Sequence, residues 1–373
     1  MTPPSRRSVL KAAALVPALF GAGQARAVAV RPLHLAALVP EHDSVPGFTA
    51  AFLAGLRSAL DTTRIVLQVT ASGPRPSQLR RAAEEVLQGT PDLLLTLGDG
   101  LPDLLSDVLP LAGLPTVAAG AGVAPTRMTG RPGLLTATLH AWEAEWLLGQ
   151  TLAQRRLPTF LLMSQQDSGY DLPLAFSRGL LAAGGTLSGS GLIETAADQR
   201  DLIHRAQSSG AQHLHLQDTA QHHALALLRA ARAAGLTVTT TALSATPAPA
   251  ERISTVADTG SALWGGFQRA VGPHASHPAA ALGHDIGLWI THSAAQLPQP
   301  SPVALIAALS AQQFAGLRGA LYVTADGHLS APLALHTPGR AAQPMMNRPH
   351  ATALASGELR SGHLFAFPHA FPG

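Results

Sequence analysis

The chain has 373 residues, 46% of them hydrophobic and 13% charged, with a formal charge of +3 at neutral pH. That length holds two domains of ordinary size, and that hydrophobicity excludes a disordered chain. Cysteine is absent, which excludes disulfides, zinc–thiolate sites, iron–sulfur clusters and thiol nucleophiles.

Residues 1–27 read as an export signal. Arg6 and Arg7 open a basic start, an apolar run covers 12–20, and small residues at Ala25 and Ala27 flank Arg26. The run is shorter than the about 20 apolar residues a membrane span needs. Arg6-Arg7 followed by Leu10 and Lys11 resembles the twin-arginine (Tat) motif. Cleavage near Ala27 removes Arg6, Arg7, Lys11 and Arg26 and no acid, which takes the formal charge from +3 to −1. A chain so nearly neutral argues against nucleic-acid binding, which requires a basic face. No later apolar run is long enough to span a membrane, and no cysteine follows the signal to carry a lipid. The expected product is soluble and periplasmic, or otherwise extracytoplasmic.

The following segments alternate. Strands are expected at 33–39, 64–69, 92–97 and 114–119, with helices at 47–60, 77–88 and 101–109 between them. Ser77 reads as the N-cap of the second helix and Gly89 as its stop. A long helix at 139–156 carries Trp142 and Trp146 on one face, which reads as core packing. Strands at 159–163, 187–193, 213–217 and 236–242 then alternate with helices at 172–183, 198–208 and 220–234. Residues 244–251 read as a Pro-rich connection. Helices at 278–297 and 301–310 follow, then strands at 320–324 and 331–336. The remainder is rich in Pro, His and Gly and reads as an irregular tail. Repeated strand–helix–strand units mean an α/β fold whose parallel sheets are covered by helices on both faces. A faint repeat supports two similar halves. Leu93 to Val117 and His213 to Val238 each run strand, polar turn, helix, Ala-Gly-Leu, strand.

Four stretches carry a family resemblance. They are Gln166 to Asp171 with Phe176 and Ala183-Gly184-Gly185; Asp198 to Gly210 with the strand after it; Gly283-His284-Asp285; and Phe314 to Gly319 with Asp326-Gly327. In order and spacing they resemble the type I periplasmic binding proteins, in particular the leucine/isoleucine/valine-binding receptors of branched-chain amino acid ABC transporters. The resemblance implies two doubly wound lobes joined by a hinge of three crossings. Residues 28–138 and 250–320 would form the first lobe, 139–249 and 321–340 the second, and 341–373 the tail. It also implies a ligand in the cleft between them, which agrees with the preference of open sheets to bind beyond their strands' carboxyl ends.

The loops at those ends are 41–45, 98–100, 118–122, 167–170, 217–219 and 243–244. The candidate ligand-binding residues are Asp43, Ser44, Asp99, Gly100, Ala119, Gly120, Asp167, Tyr170, Gln217, Asp218 and Ser244. The resemblance puts a carboxylate cradle at 98–100 and 118–121, where the family's serines and threonines are missing. It puts a ligand-packing aromatic at Tyr170, polar groups at Gln217 and Asp218, and an ammonium-binding acid near Ser244, where none stands. Asp218, Asp99 and Asp43 are the candidates for that last role. Asp99 also reads as a cap for the helix that follows it.

No G-x-S-x-G elbow, Walker A loop or H-E-x-x-H occurs. The seventeen histidines, among them His213, His215, His222, His223, His274, His277 and His284, read as structural or exposed. No catalytic residue, metal or cofactor is expected. The expected function is capture of a small polar ligand, an amino acid or related amide or carboxylate, for an ABC transporter's permease subunits. The alternatives are a Tat-exported cofactor-dependent enzyme, or a sensing or partner protein of the same fold.

Overall fold

The computed structural model describes residues 31–43, 45–105, 107–108, 113–123, 131–164, 167, 172–195, 198–218, 224–243, 250–255, 261–297 and 299–345. The expected signal and all but the start of the expected tail lie outside them.

The first series runs β1 (Leu33–Pro40), α1 (Phe48–Ala59), β2 (Ile65–Ser72), α2 (Pro76–Gln88), β3 (Leu93–Leu97), α3 (Leu101–Leu104), β4 (Thr116–Gly120) and β5 (Leu134–Thr138). Its strands pair in parallel in the order β5-β4-β3-β1-β2. Every residue of β3 and β4 is buried, as expected of central strands covered on both faces. The second series runs α4 (Ala141–Gln154), β6 (Thr159–Ser164), α5 (Leu172–Ala182), β7 (Leu187–Ile193), α6 (Gln199–Ser208), β8 (His213–Gln217), α7 (Ala224–Ala233) and β9 (Thr237–Thr240). It forms a second parallel sheet, β7-β6-β8-β9.

The rest of the chain serves both sheets. It comprises β10 (Arg252–Thr255), α8 (Ala262–Val271), α9 (Pro278–Ala295), α10 (Pro302–Ser310), β11 (Gln313–Gly316), β12 (Gly319–Val323), β13 (His328–Ser330), β14 (Leu333–His336) and β15 (Gln343–Pro344). Strands β11, β12 and β13 extend the first sheet past β5, to eight strands. Strands β10, β14 and β15 pair with one another, and the bridge between Thr239 and Glu251 ties them to β9. The chain therefore passes between the two groups of strands three times: after β5, after β10 and after β13.

Several elements differ from the expectation. Strands β5, β10, β11 and β13 and helix α8 were not foreseen. The expected division put 250–320 with the first group and 321–340 with the second. In the structure β10 pairs with β14, while β12 and β13 belong to the first sheet. Helix α2 starts at Pro76, not after Ser77, because proline's fixed φ suits the first helical position. Two residues of the expected irregular tail, Gln343 and Pro344, form β15.

Each half has a pair of helices in close backbone contact. A Cβ on Gly283 of α9 would stand 2.1 Å from the carbonyl oxygen of Phe52 in α1. One on Gly149 of α4 would stand 2.3 Å from the carbonyl oxygen of Phe176 in α5. Trp142 and Trp146 stack at 5.5 Å on α4, and Trp142 is buried in the core.

Two of the stretches that carried the family resemblance meet at the hinge. Asp285 accepts hydrogen bonds from Leu317 N (2.6 Å) and from Arg318 Nε (2.7 Å). Arg318 Nη1 donates to the carbonyl of Thr138, at the end of β5, over 2.7 Å. Both charged side chains are essentially fully buried. The pair locks α9 and the β11–β12 turn to the strand from which the chain first leaves the first sheet.

Candidate ligand-binding site

A cavity of about 300 Å³ opens where the two sheets' strands end. Pro40 closes β1 and Leu97 closes β3. Ala121 follows β4, Asp167 follows β6 and Leu243 follows β9; all line the cavity. Phe48, Leu101 and Leu172, each the first residue of a helix, complete much of the wall, with Val45 and Val123. The site draws on both sheets at their carboxyl ends, where backbone geometry leaves a crevice. Its walls are largely apolar, and its volume is at the low end for small-molecule pockets. The polar lining groups are His42, Asp43, Asp99 and Asp167.

Five of the six loops named from the sequence contribute. Of the candidate residues, Asp43, Asp99 and Asp167 line the cavity. Ser44, Tyr170 and Ser244 lie outside the described residues. Gly100, Ala119, Gly120, Gln217 and Asp218 are not among the lining residues. The sequence reading missed the apolar walls, because Leu97, Leu172 and Leu243 look like ordinary core residues at the ends of hydrophobic runs.

Asp99 sits between Gly98 (φ +136°) and Gly100 (φ +81°), a pair of backbone conformations that glycine adopts without strain. The turn aims the Asp99 carboxylate at the loop after β4. Oδ1 accepts from Gly122 N at 2.9 Å, and Oδ2 accepts from Ala121 N at 3.1 Å and Val123 N at 3.4 Å. Gly120 makes room for it, since a Cβ there would stand 2.3 Å from Oδ1. Asp99 as a residue is exposed, but its carboxyl is packed against the loop, and that desolvation pushes it above the usual carboxylate range although the three amides pull it down. Asp99 does not cap α3, whose N-terminus has no side-chain cap.

Asp43 is held in a similar way. Its oxygens accept from Thr49 N, in the first turn of α1, at 3.0 and 3.1 Å, and from the Thr49 hydroxyl. Asp167 is fully buried and accepts from Ser164 Oγ at 2.7 Å.

Gln217 and Asp218, at the end of β8, are buried. Gln217 Nε2 donates to Glu145 Oε2 at 3.0 Å, and His215 Nε2 lies 2.8 Å from the same oxygen. Thr239 Oγ1 joins His215 Nδ1 and His213 Nε2, both at 2.9 Å. Burial lowers the His213 pKa to about 3, helped by His215 and Arg155, so His213 is neutral at ordinary pH. Here the strand end points its polar groups into the protein.

Among the described residues one cluster has metal-ligating character: His140, Glu143 and His328, beside the first and third crossings. His140 Nδ1 lies 3.4 Å from Glu143 Oε1 and 3.3 Å from His328 Nε2. Ala331 N donates to His140 Nε2, so the ring proton belongs on Nδ1, the atom a metal would need. Thr136 Oγ1 lies 2.6 Å from the other nitrogen of His328. In this geometry His140 and His328 form a hydrogen-bonded tie across the hinge, with Glu143 beside them.

No family model matches the sequence, and no curated protein matches it. Solved structures match over most of the chain. A solute-binding protein of an ABC transporter from R. palustris, in complex with benzoate, has a TM-score of 0.64 at 15% identity and covers 84% of this chain and 95% of its own. One from Rhodopseudomonas palustris in complex with 3,4-dihydroxybenzoic acid has a TM-score of 0.67 at 12% identity, over 84% of this chain and 96% of its own. A leucine-binding protein from Thermotoga maritima has a TM-score of 0.62 at 12% identity, over 84% of this chain and 98% of its own. The fold is that of the ABC-transporter solute-binding proteins. It agrees with the two sheets, the three crossings and the cavity at the strand ends.

Proposed function

We propose that this protein is an exported solute receptor that holds a small molecule between its two groups of strands and presents it to the membrane subunits of an ABC transporter. The carrying observation is the apolar cavity lined by strand ends from both sheets. A molecule lodged there touches both groups and favours their approach, which biases a hinge toward its closed state. The fold shared with solute-binding proteins supports this reading. The twin-arginine-like start supports export, and no helix among the described residues is long and apolar enough to cross a membrane. The lining holds no nucleophile–base pair among the described residues, which favours binding over covalent chemistry.

The test is thermal unfolding of the purified chain against amines, amides, amino acids and aromatic or aliphatic carboxylates. A true ligand at a hundredfold above its Kd adds about 2.7 kcal/mol to stability. The same ligand should reduce the radius of gyration in solution scattering. Stabilisation by none of these classes would contradict the proposal.

A further inference from the structure

Two sets of backbone amides at the cavity are the natural seats for an anion. The first is the run Ala121, Gly122 and Val123, whose successive N–H groups converge as such loops do around anions. The second is the first turn of α1, where helix geometry leaves N–H groups without partners. Both already hold a carboxylate of the chain itself. Asp99 takes all three amides of the first set, and Asp43 takes Thr49 N in the second. The absent side chain of Gly120 is part of the arrangement, because any Cβ there would collide with Asp99.

Among the described lining residues the second sheet contributes a further carboxylate, that of Asp167, and no cation. Among the described lining residues the only basic side chain is His42, which is exposed. Acids alone would not define a site. Here they face a cavity that its position and apolar walls already mark. A ligand carboxylate entering it would meet like charges and find the three amides after β4 and Thr49 N taken, an arrangement that costs affinity. A ligand with a hydrocarbon body and a positive end meets apolar walls and fixed acceptors from both sheets.

We propose that the cavity selects small apolar amines and rejects carboxylates of the same size, Asp99 acting as a built-in occupant of the anion seat. This rests on the receptor reading and specifies the ligand class for it.

The experiment is calorimetric titration of the purified full chain with benzylamine and benzoate, and with 3-methylbutylamine and 3-methylbutanoate. The wild type should bind an amine at least about tenfold more tightly than its matched carboxylate. Asp99→Ala frees the three amides, so it should weaken the amine and gain binding of the carboxylate. Asp99→Ser repeats the test with a side chain that keeps a hydroxyl, should the alanine variant fold poorly. A wild type that binds benzoate or 3-methylbutanoate as tightly as the matched amine overturns the inference and leaves the receptor reading standing. Binding of neither class by the wild type overturns the inference. If the wider panel of amides and amino acids also fails to bind, the receptor reading falls as well.

Discussion

The two halves of the internal repeat end in polar side chains that do opposite things. At the end of β3, Asp99 reaches across to the loop after β4 and lines the cavity. At the end of β8, Gln217 turns inward to Glu145, and the amide joins a buried ladder with His215, Thr239 and His213. The topological neighbourhood is the same, a strand's carboxyl end before a helix and the next parallel strand, although Gln217 is the last residue of its strand and Asp99 lies two past the end of its own. What differs is the partner. The first half offers an empty row of backbone amides, while the second offers a carboxylate on α4. Position within the fold nominates a residue for a site, and the nearest unsatisfied group decides whether it faces one.

That contrast is open to attack from both sides. The largest effect is expected at Glu145. Glu145→Ala removes the shared acceptor of His215 and Gln217 inside the protein and should cost about 3 kcal/mol or more in urea denaturation. Amine binding should survive in the fraction that folds. Asp99→Ala should cost less, about 1–3 kcal/mol by the same measurement, because the amides it abandons border a cavity that water can enter. Its larger effect is on ligand choice. Equal stability losses in the two variants, with no change in ligand choice, would erase the distinction.

Gly120→Ala attacks Asp99 indirectly. The new methyl displaces the carboxylate, and the variant should copy the ligand preference of Asp99→Ala with a loss of about 1–2 kcal/mol.

Acid titration separates the halves more gently. His213 has a pKa near 3 in the folded protein, against 6.5 for the free side chain. The unfolded chain therefore takes up a proton first, and stability falls as pH drops from about 6.5 toward 3. The slope from this group approaches about 1.4 kcal/mol per pH unit. Asp99 works in the other sense. Its raised folded pKa makes its contribution most favourable at low pH, and that contribution is lost as pH rises through the folded value. Denaturation midpoints between pH 4 and 7 should show the His213 slope, and His213→Gln should flatten it.

Much of this was legible in the sequence. The alternation of strands and helices follows from hydrophobic runs such as 93–97 and from amphipathic spacing such as Phe48, Phe52 and Leu56. The elements that escaped are those whose local pattern is weak. Strand β10 begins with Arg252 straight after a Pro-rich run, α8 contains Gly265-Gly266, and β13 is three residues long. Only their partners elsewhere in the chain give them shape. For the site, Asp43, Asp99 and Asp167 stood out as polar residues just past strands. The inward turn of Gln217 left no trace, because its partner lies 72 residues away on a helix. Nor did the capture of the anion seat, which depends on a loop 22 to 24 residues beyond Asp99.

The account turns on the two groups of strands closing over a guest. Because the chain has no cysteine, single cysteines can be placed at Leu104 and Leu225, both exposed, without background labelling. Spin labels at these positions report one distance between the halves. The account predicts that the panel member giving the largest thermal shift converts a broad distribution into a shorter, narrower one. An unchanged distribution at saturating ligand would contradict it.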